Sequence, residues 1–255
     1  MRINAGNGKD TIENFSSNVS INAGEGDNEI SVGDYYNSVG SAVFVESGSG
    51  KDVIDNRFSN VTINSGAGND NIYSRGNNAY VDAGDGSDHI STDGEQSTII
   101  SGAGNDSIYS NNNNSYFDLG DGSDYINIGS ENPTIIAGTG NDTIYNYSEK
   151  AVINAGEGND IIYSNEHSNA SIDAGRGNDT INVGKSDTIV YQKGYENDVI
   201  LNYNSDTTIH LIDGSISSFE INDSGDVIFK IGVSGSIIVK DAAYIPIVIK
   251  DSQGN

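Results

Sequence analysis

Aspartate is the residue whose spacing in this sequence most clearly suggests chemistry. It stands four residues after the first glycine of a short unit of the form small residue–Gly–x–Gly–x–Asp–x–Ile. Nine copies of the unit carry it, as Asp10, Asp52, Asp70, Asp88, Asp106, Asp124, Asp142, Asp160 and Asp179. In the second copy the order is Asp27-Asn28, and we expect Asp27 to substitute there. Carboxylates repeated at a fixed interval suit a protein that collects cations.

Paired glycines and an isoleucine recur with these aspartates in ten copies, mostly 18 residues apart, with one step of 24 and one of 19. The glycine pairs are Gly6 and Gly8, Gly24 and Gly26, Gly48 and Gly50, Gly66 and Gly68, Gly84 and Gly86, Gly102 and Gly104, Gly120 and Gly122, Gly138 and Gly140, Gly156 and Gly158, and Gly175 and Gly177. Ile follows each first glycine by six residues, from Ile12 to Ile181. Similarity at a fixed period is the signature of a repeat architecture.

Each unit must contain two short strands that position the aspartate loop. Apolar residues three positions before the first glycine, such as Ile21 and Ile63, alternate with polar ones, which is typical of a strand with one buried face. Asparagine, which suits tight turns, recurs in one phase as Asn18, Asn60, Asn78, Asn114, Asn132 and Asn169. A single unit cannot bury its apolar face, whereas stacked coils place each Ile on the next. We therefore predict an all-β parallel solenoid of about ten coils over residues 2–200.

The rest of the chain departs from the repeat. Residues 194–200 form a worn eleventh unit in which Glu196 replaces the second glycine, and six extra residues before Gly48 predict a bulged loop near 33–36. Residues 201–255 contain four alternating segments, 208–212, 226–231, 236–240 and 245–249, which predict antiparallel strands that cap the open end. Because residue 2 already lies in a strand, we expect the chain to be a fragment of something longer.

Stacking gives the aspartates their chemistry. Equivalent carboxylates on neighbouring coils would lie ~5 Å apart, where they repel by roughly 1 kcal/mol in a water-like dielectric and roughly 3–4 kcal/mol at an effective dielectric of 20. Carboxylates together with carbonyls of the glycine turns form an all-oxygen cage, which favours Ca²⁺ over Mg²⁺. Ten loops leave nine gaps, so we predict several calcium ions, up to about nine in one row. Nine divalent ions carry 18 positive charges and would change −25 to −7.

The segment 155–163, Ala-Gly-Glu-Gly-Asn-Asp-Ile-Ile-Tyr, resembles the calcium-binding nonapeptide of the RTX (repeats-in-toxin) family. The resemblance covers about residues 2–200 and implies a right-handed parallel β-roll, with the nine aspartates as ligands and the glycine pairs as turn residues. Two departures are that Ala, Ser or Leu119 replaces the family's first glycine, and that only every other nonapeptide carries the motif. Calcium should therefore line one edge of the stack, as in the similar antifreeze module of a giant bacterial RTX adhesin. Between the glycines stands a single Thr, Thr139, so a regular ice-matching array is missing.

Composition excludes several functions. The net charge of −25, from 12 Lys and Arg against 37 Asp and Glu, argues against binding nucleic acid or anionic membranes. No apolar run approaches the ~20 residues of a membrane span, and without Cys there are no disulfides or thiolate metal sites. No Ser–His–Asp set or acid–base pair stands out, so we predict that the chain is not an enzyme.

The predicted function is a calcium-folded structural or adhesive spacer in a secreted or surface protein of a bacterium, exported by type I secretion. Its predicted partners are calcium ions, with a surface polysaccharide or other copies of the parent protein as candidates. The alternatives are the C-terminal calcium-binding module of a secreted protease, lipase or epimerase and, less favoured, an ice-binding module. For a set of tyrosines we favour cross-strand stabilisation over a sugar-binding strip. The set is Tyr73, Tyr80, Tyr109, Tyr116, Tyr145 and Tyr163.

Overall fold

The computed structural model describes residues 1–33, 42–165, 168–192, 194–213, 215–232 and 235–251. Within these ranges, no helix has the length and apolar character that a membrane crossing needs. The chain divides into two compact units, unit 1 (Met1–Thr134) and unit 2 (Ile135–Asn255). The bulged loop predicted near 33–36 falls almost entirely on residues 34–41, outside the described residues.

Unit 1 is built from short strands of three or four residues. They are β1 (Arg2–Asn4), β2 (Thr11–Asn14), β3 (Ser20–Asn22), β4 (Glu29–Val32), β5 (Val43–Glu46), β6 (Val53–Asn56), β7 (Val61–Asn64), β8 (Asn71–Ser74), β9 (Tyr80–Asp82), β10 (His89–Thr92), β11 (Thr98–Ile100), β12 (Ser107–Ser110), β13 (Tyr116–Asp118) and β14 (Tyr125–Ile128). The odd-numbered strands form one parallel sheet and the even-numbered strands form another. Consecutive strands therefore alternate between two sheets, which is the path of a coil in a solenoid.

The register between coils stacks like on like. Ile90 of β10 pairs with Ile72 of β8 on one side and Ile108 of β12 on the other. In the odd sheet, Ile99 lies between Val81 and Phe117 in the same way. All six of these side chains are 0% exposed, so the core is a set of apolar columns between the two sheets. The prediction that stacking buries the repeated Ile is confirmed.

Unit 2 repeats this arrangement and then changes it. Its first strand begins at the last residue of unit 1. The strands are β15 (Thr134–Thr139), β16 (Thr143–Asn146), β17 (Val152–Glu157), β18 (Ile161–Ser164), β19 (Ser171–Asp173), β20 (Thr180–Asn182), β21 (Thr188–Tyr191), β22 (Asn197–Leu201), β23 (Thr208–Leu211), β24 (Ile216–Ile221), β25 (Val227–Ile231), β26 (Gly235–Val239) and β27 (Val248–Lys250). One sheet has the order β15-β17-β19-β21-β23-β27, and the other β16-β18-β20-β22-β26-β25-β24.

The C-terminal strands differ in part from the prediction. β24, β25 and β26 are antiparallel to one another, as expected. β23 and β27 are instead parallel additions to the odd sheet, and β26 joins β22 in parallel. The physical reason is register, because Ile209 falls directly on Ile189 when the coil path continues. Parallel pairing thus extends past residue 200, where the sequence places the start of a cap, and the cap itself stays a prediction.

Aromatic rings contact one another across neighbouring strands of the even sheet. In unit 1, the ring centroids of Tyr73 and His89 are 6.3 Å apart, those of His89 and Tyr109 5.4 Å, and those of Tyr109 and Tyr125 5.6 Å. In unit 2, Tyr145 stacks on Tyr163 at 4.6 Å. These contacts are of the cross-strand kind that the sequence favours for the tyrosines.

The turn opposite the glycine loop requires a left-handed backbone. The six asparagines predicted for this turn have φ between +46° and +56°. Gln96 occupies the same conformation with φ of 56°. Glutamine adopts the left-handed backbone less readily than asparagine, whose shorter side chain can hydrogen-bond locally.

We expect Gln96→Asn to stabilise the protein by about 1 kcal/mol, because asparagine relieves part of the left-handed strain at an exposed position. Chemical unfolding in excess calcium measures the change. Gln96→Ala is the matched control and should give no gain, since it keeps the Cβ without the amide. Equal stability of the Asn and Ala variants would contradict the explanation.

Candidate metal centre

The glycine loops stack through a backbone ladder that continues between the strands. The N–H of Ala103, between its two glycines, donates to the carbonyl of Gly84 one coil earlier at 2.9 Å. The N–H of Gly86 donates in turn to the carbonyl of Ala103 at 2.7 Å. The same pair of bonds recurs at neighbouring loops, so successive loops lie directly over one another in fixed register.

Glycine is required by this close approach. Gly102 has φ of +105°, and a Cβ built on it would lie 2.0 Å from the carbonyl oxygen of Gly84. All twenty glycines of the ten predicted pairs have φ between +85° and +145°, a region that L side chains rarely adopt. The sequence therefore places a residue without a side chain wherever two loops must touch.

Buried aspartates line the inner side of these loops. The backbone N–H of Asp70 donates to Oδ1 of Asp88 at 2.7 Å, and the N–H of Asp88 donates to Oδ1 of Asp106 at 2.8 Å. In unit 2 the N–H of Asp142 donates to Oδ1 of Asp160, and that of Asp160 to Oδ1 of Asp179, both at 2.8 Å. Each unit thus holds a file of aspartates, in which one carboxylate oxygen is fixed by the preceding coil.

The second carboxylate oxygen has no such bond. Oδ2 is buried and lacks a hydrogen-bond partner in seven members of these two files: Asp10, Asp52, Asp70, Asp88 and Asp106 in unit 1, and Asp160 and Asp179 in unit 2. A buried polar atom left unsatisfied costs about 1–3 kcal/mol, and more if it is charged. A repeated cost of this size points to a missing partner shared by these seven rungs.

The pKa values of the buried aspartates also indicate that a positive partner is missing. Burial raises the pKa of both Asp88 and Asp160 to about 7, with the charges of neighbouring aspartates acting in the same direction and backbone N–H donors opposing it. Burial likewise raises the pKa of Asp52, Asp70 and Asp106. Ionising these groups at neutral pH therefore needs a compensating positive charge close to the file.

Carbonyl oxygens converge on the same place. At the second loop, the side-chain nitrogen Nδ2 of Asn28 lies 2.7 Å from the carbonyl oxygen of Gly26 and 3.2 Å from those of Gly24 and Ser47. Because the sequence repeats, we expect equivalent carbonyls beside each buried aspartate. Two neighbouring carboxylates and carbonyls of two loops form an oxygen-only ligand set, which is what Ca²⁺ prefers.

The residues present therefore fit calcium. The described residues contain no group of three or more His, Cys, Asp or Glu side chains able to hold a metal, so backbone oxygens must complete each site. Aspartates on successive coils, such as Asp70 and Asp88, would hold the ion together with the glycine-loop carbonyls. Bound calcium supplies the positive charge that their buried oxygens lack.

The structure brings together most of the predicted site residues. The nine aspartates all occupy the file position, and the glycine pairs form the loops beside it. Asp27 does not join them, because it is exposed and its Oδ1 accepts the backbone N–H of Lys51 at 2.9 Å. Asn28 takes the file position instead and is 2% exposed. The prediction that Asp27 substitutes as a ligand at this rung is therefore corrected, because its exposed side chain lies outside the file.

The sequence-based site omits Asp198. The N–H of Asp179 donates to Oδ1 of Asp198 at 3.1 Å, which makes Asp198 the next member of the file in unit 2. Burial and the charge of Asp179 raise the pKa of Asp198. Asp198 follows Asp179 by 19 residues, a spacing that fits the repeat. Glu196 in place of the second glycine weakens the match of this unit to the motif. In the structure, Oε2 of Glu196 accepts the N–H of Gly177 at 2.9 Å.

Stacked Gly-x-Gly-x-Asp loops on two parallel sheets, with buried carboxylate oxygens and convergent carbonyls, define a calcium-binding β-solenoid. The RTX calcium-binding nonapeptide repeat (4 copies) matches residues 46–81, 62–90, 82–117, 93–126, 100–135, 128–145, 152–166 and 168–188. These stretches cover more than half of the 255 residues, and the chain belongs to this family.

A solved structure shows the same fold. The chain is similar to a hyperactive, Ca²⁺-dependent, β-helical antifreeze protein from an Antarctic bacterium, with a TM-score of 0.54 and 23% identity over 79% of this chain and 74% of that one. It also matches the extracellular lipase LipA from Serratia marcescens, with a TM-score of 0.36 and 17% identity over 79% of this chain and 40% of the lipase. Among curated proteins, none matches significantly. The predicted fold class, a right-handed parallel β-roll, is confirmed.

Replacing a loop glycine tests the close stacking. We expect Gly102→Ala to lose most of its stability even in saturating calcium, because its Cβ meets the Gly84 carbonyl. Thermal unfolding followed by far-UV CD measures the loss. Gly8→Ala is the control, since its φ of +121° is equally unfavourable but a Cβ there meets nothing within 4 Å. Similar losses in both variants would show that backbone strain alone is responsible.

The raised pKa values predict an unusual pH dependence without metal. An aspartate whose pKa is raised on folding favours the folded state while protonated, and this stability is lost as pH rises from the ordinary 3.8 to about 7 at Asp88 and Asp160. Protein in EDTA should therefore melt at a higher temperature at about pH 5 than at about pH 8. Excess calcium should restore stability at the higher pH.

A charge-matched pair of variants assigns this effect to the file. Asp88→Asn cannot ionise and should reduce the pH dependence of the melting temperature in EDTA. Asp85→Asn removes the same charge from an exposed loop position and should change the dependence little. Metal-free stability that rises towards pH 8, or equal effects of both variants, would contradict this interpretation.

Proposed function

We propose that this chain is a calcium-folded structural segment of a protein that bacteria export or display on their surface. The supporting observation is the file of buried aspartate oxygens without hydrogen-bond partners, of which Asp70, Asp88 and Asp106 are consecutive members. Such a file is unfavourable unless cations lie along it. Calcium is therefore a structural component of the fold.

Folding should depend on calcium because the sites exist only when the coils are stacked. The free energy of binding to a site that the unfolded chain lacks becomes free energy of folding. Without the ions, a net charge of −25 and the buried carboxylates both oppose compaction. Metal binding and coil formation are then one event.

This coupling supports an extracellular location. Loops that bind calcium in the millimolar range remain empty at cytosolic calcium concentrations and fill outside the cell. The chain would then stay unfolded until export, which is the state that passage through a type I secretion channel needs. Membership of the RTX repeat family supports the same location.

A spacer or adhesive role fits the repeat design. Each coil contacts its neighbours through the same backbone ladder, so coils can be added without a new core. The described residues outside the file hold no group of metal-binding side chains that suggests a second chemistry. A surface polysaccharide or another copy of the parent protein is the candidate partner for the adhesive role.

A structurally similar protein is an antifreeze protein, but the described loops of this chain present no regular surface between their paired glycines that would suit ice binding. The position between the paired glycines is exposed in the described loops. Its residues change from loop to loop, as with Ala67, Asp85 and Ala103. We therefore favour the structural role.

Calcium titration tests the proposal. In EDTA at neutral pH the protein should melt far below its melting temperature in calcium, so that at physiological temperature its far-UV CD spectrum is that of a disordered chain. Millimolar calcium should restore the β spectrum. Magnesium is the matched control ion and should not substitute, because it requires a stricter octahedral geometry and retains its waters. An unchanged β spectrum in EDTA, or equal rescue by magnesium, would contradict a calcium-dependent fold.

A further inference from the structure

The second loop holds an amide where the other loops hold a carboxylate. Asn28 makes the same backbone connections as the aspartates of the file: its N–H donates to Oδ1 of Asp52 at 2.7 Å, and its Oδ1 accepts the N–H of Asp10 at 3.1 Å. The residue is 2% exposed. Asn28 therefore belongs to the file in every respect except the chemistry of its second side-chain atom.

That second atom is a donor. Nδ2 of Asn28 donates to the carbonyls of Gly26, Gly24 and Ser47 at 2.7, 3.2 and 3.2 Å. The orientation of the amide is fixed from both sides, because the Asp10 N–H needs an acceptor and the three carbonyls need a donor. Asn28 leaves no buried side-chain atom unsatisfied, unlike Asp52 in the next coil.

We propose that the side-chain amide of Asn28 replaces a calcium ion at the second loop, so that this rung is complete without metal. The carbonyls that would face a cation already accept N–H groups. A cation at that point would meet amide hydrogens instead of oxygen lone pairs. The inference rests on the proposed function, in which calcium fills the carboxylate rungs.

The amide also changes the electrostatics of the first coils. A neutral side chain stands between Asp10 and Asp52, so that this part of the file lacks one negative charge. The adjoining coils can then stack at calcium concentrations too low to fill the other rungs. The second loop is thereby a metal-independent point from which calcium-dependent coils extend.

Exchanging amide and carboxylate tests the proposal. Asn28→Asp should bind at least one more calcium ion per chain by native mass spectrometry, and should melt at a lower temperature than the original protein in EDTA. Asp70→Asn places an amide among the equivalent carbonyls of Gly66, Gly68 and Ala83. It should bind fewer ions and melt at a higher temperature in EDTA near pH 8.

Two exposed positions provide charge-matched controls. Asn7→Asp adds one negative charge and Asp27→Asn removes one, and both lie outside the file. Neither variant should change the number of ions bound. If they alter EDTA stability as much as the file variants do, net charge rather than the amide explains the effect.

The outcomes separate this inference from the proposed function. A native chain that binds no calcium overturns both. A native chain that binds calcium, while Asn28→Asp binds no further ion, overturns only the role of Asn28. Because Asn28→Asp can fail to fold in EDTA, its bound ions are counted in calcium. The gain in melting temperature expected for Asp70→Asn in EDTA is an independent test. Absence of that gain also contradicts the proposal.

Discussion

The structure depends on one electrostatic constraint: the stacked loops bury a carboxylate oxygen that accepts no hydrogen bond. Parallel stacking creates this situation, because the backbone N–H of each coil satisfies only one oxygen of the next aspartate. Asp70 and Asp88 illustrate it, with Oδ1 held by a backbone N–H and Oδ2 left without a partner. The arrangement is favourable only with positive charge beside the file, and calcium with its oxygen ligands meets that need.

The remaining features of the fold serve this stacking. Glycines such as Gly102 let the loops approach closely, and the parallel strand pairing beneath them sets the distance between coils. The left-handed turn opposite the loops returns the chain to the next rung. At the second loop the chain supplies its own donor through Asn28, which shows that the carbonyl cage accepts N–H groups where no metal is expected.

Much of the fold could be predicted because each repeated residue has one physical task. The phase of Ile, Gly, Asp and Asn specified the buried columns, the loops, the file and the left-handed turns. Asn28 could not be assigned, since the neighbouring Asp27 offered a carboxylate and only the side-chain positions distinguish the exposed residue from the buried one. Alternation after residue 200 predicted strands, but the antiparallel direction expected of them was wrong for β23 and β27 and for the pairing of β26 with β22. Parallel and antiparallel strands with one buried face share the same pattern. Asp198 was obscured for a different reason, namely the loss of its second glycine.

A crystal structure grown in excess calcium, with anomalous scattering from the metal, tests the central claim most directly. Metal peaks are expected about 2.3–2.6 Å from the Oδ2 atoms of Asp70, Asp88 and Asp106. No peak is expected beside Nδ2 of Asn28. Gaps that hold no metal while these Oδ2 atoms remain buried, or aspartates turned outwards on loops that are out of register, would contradict the claim.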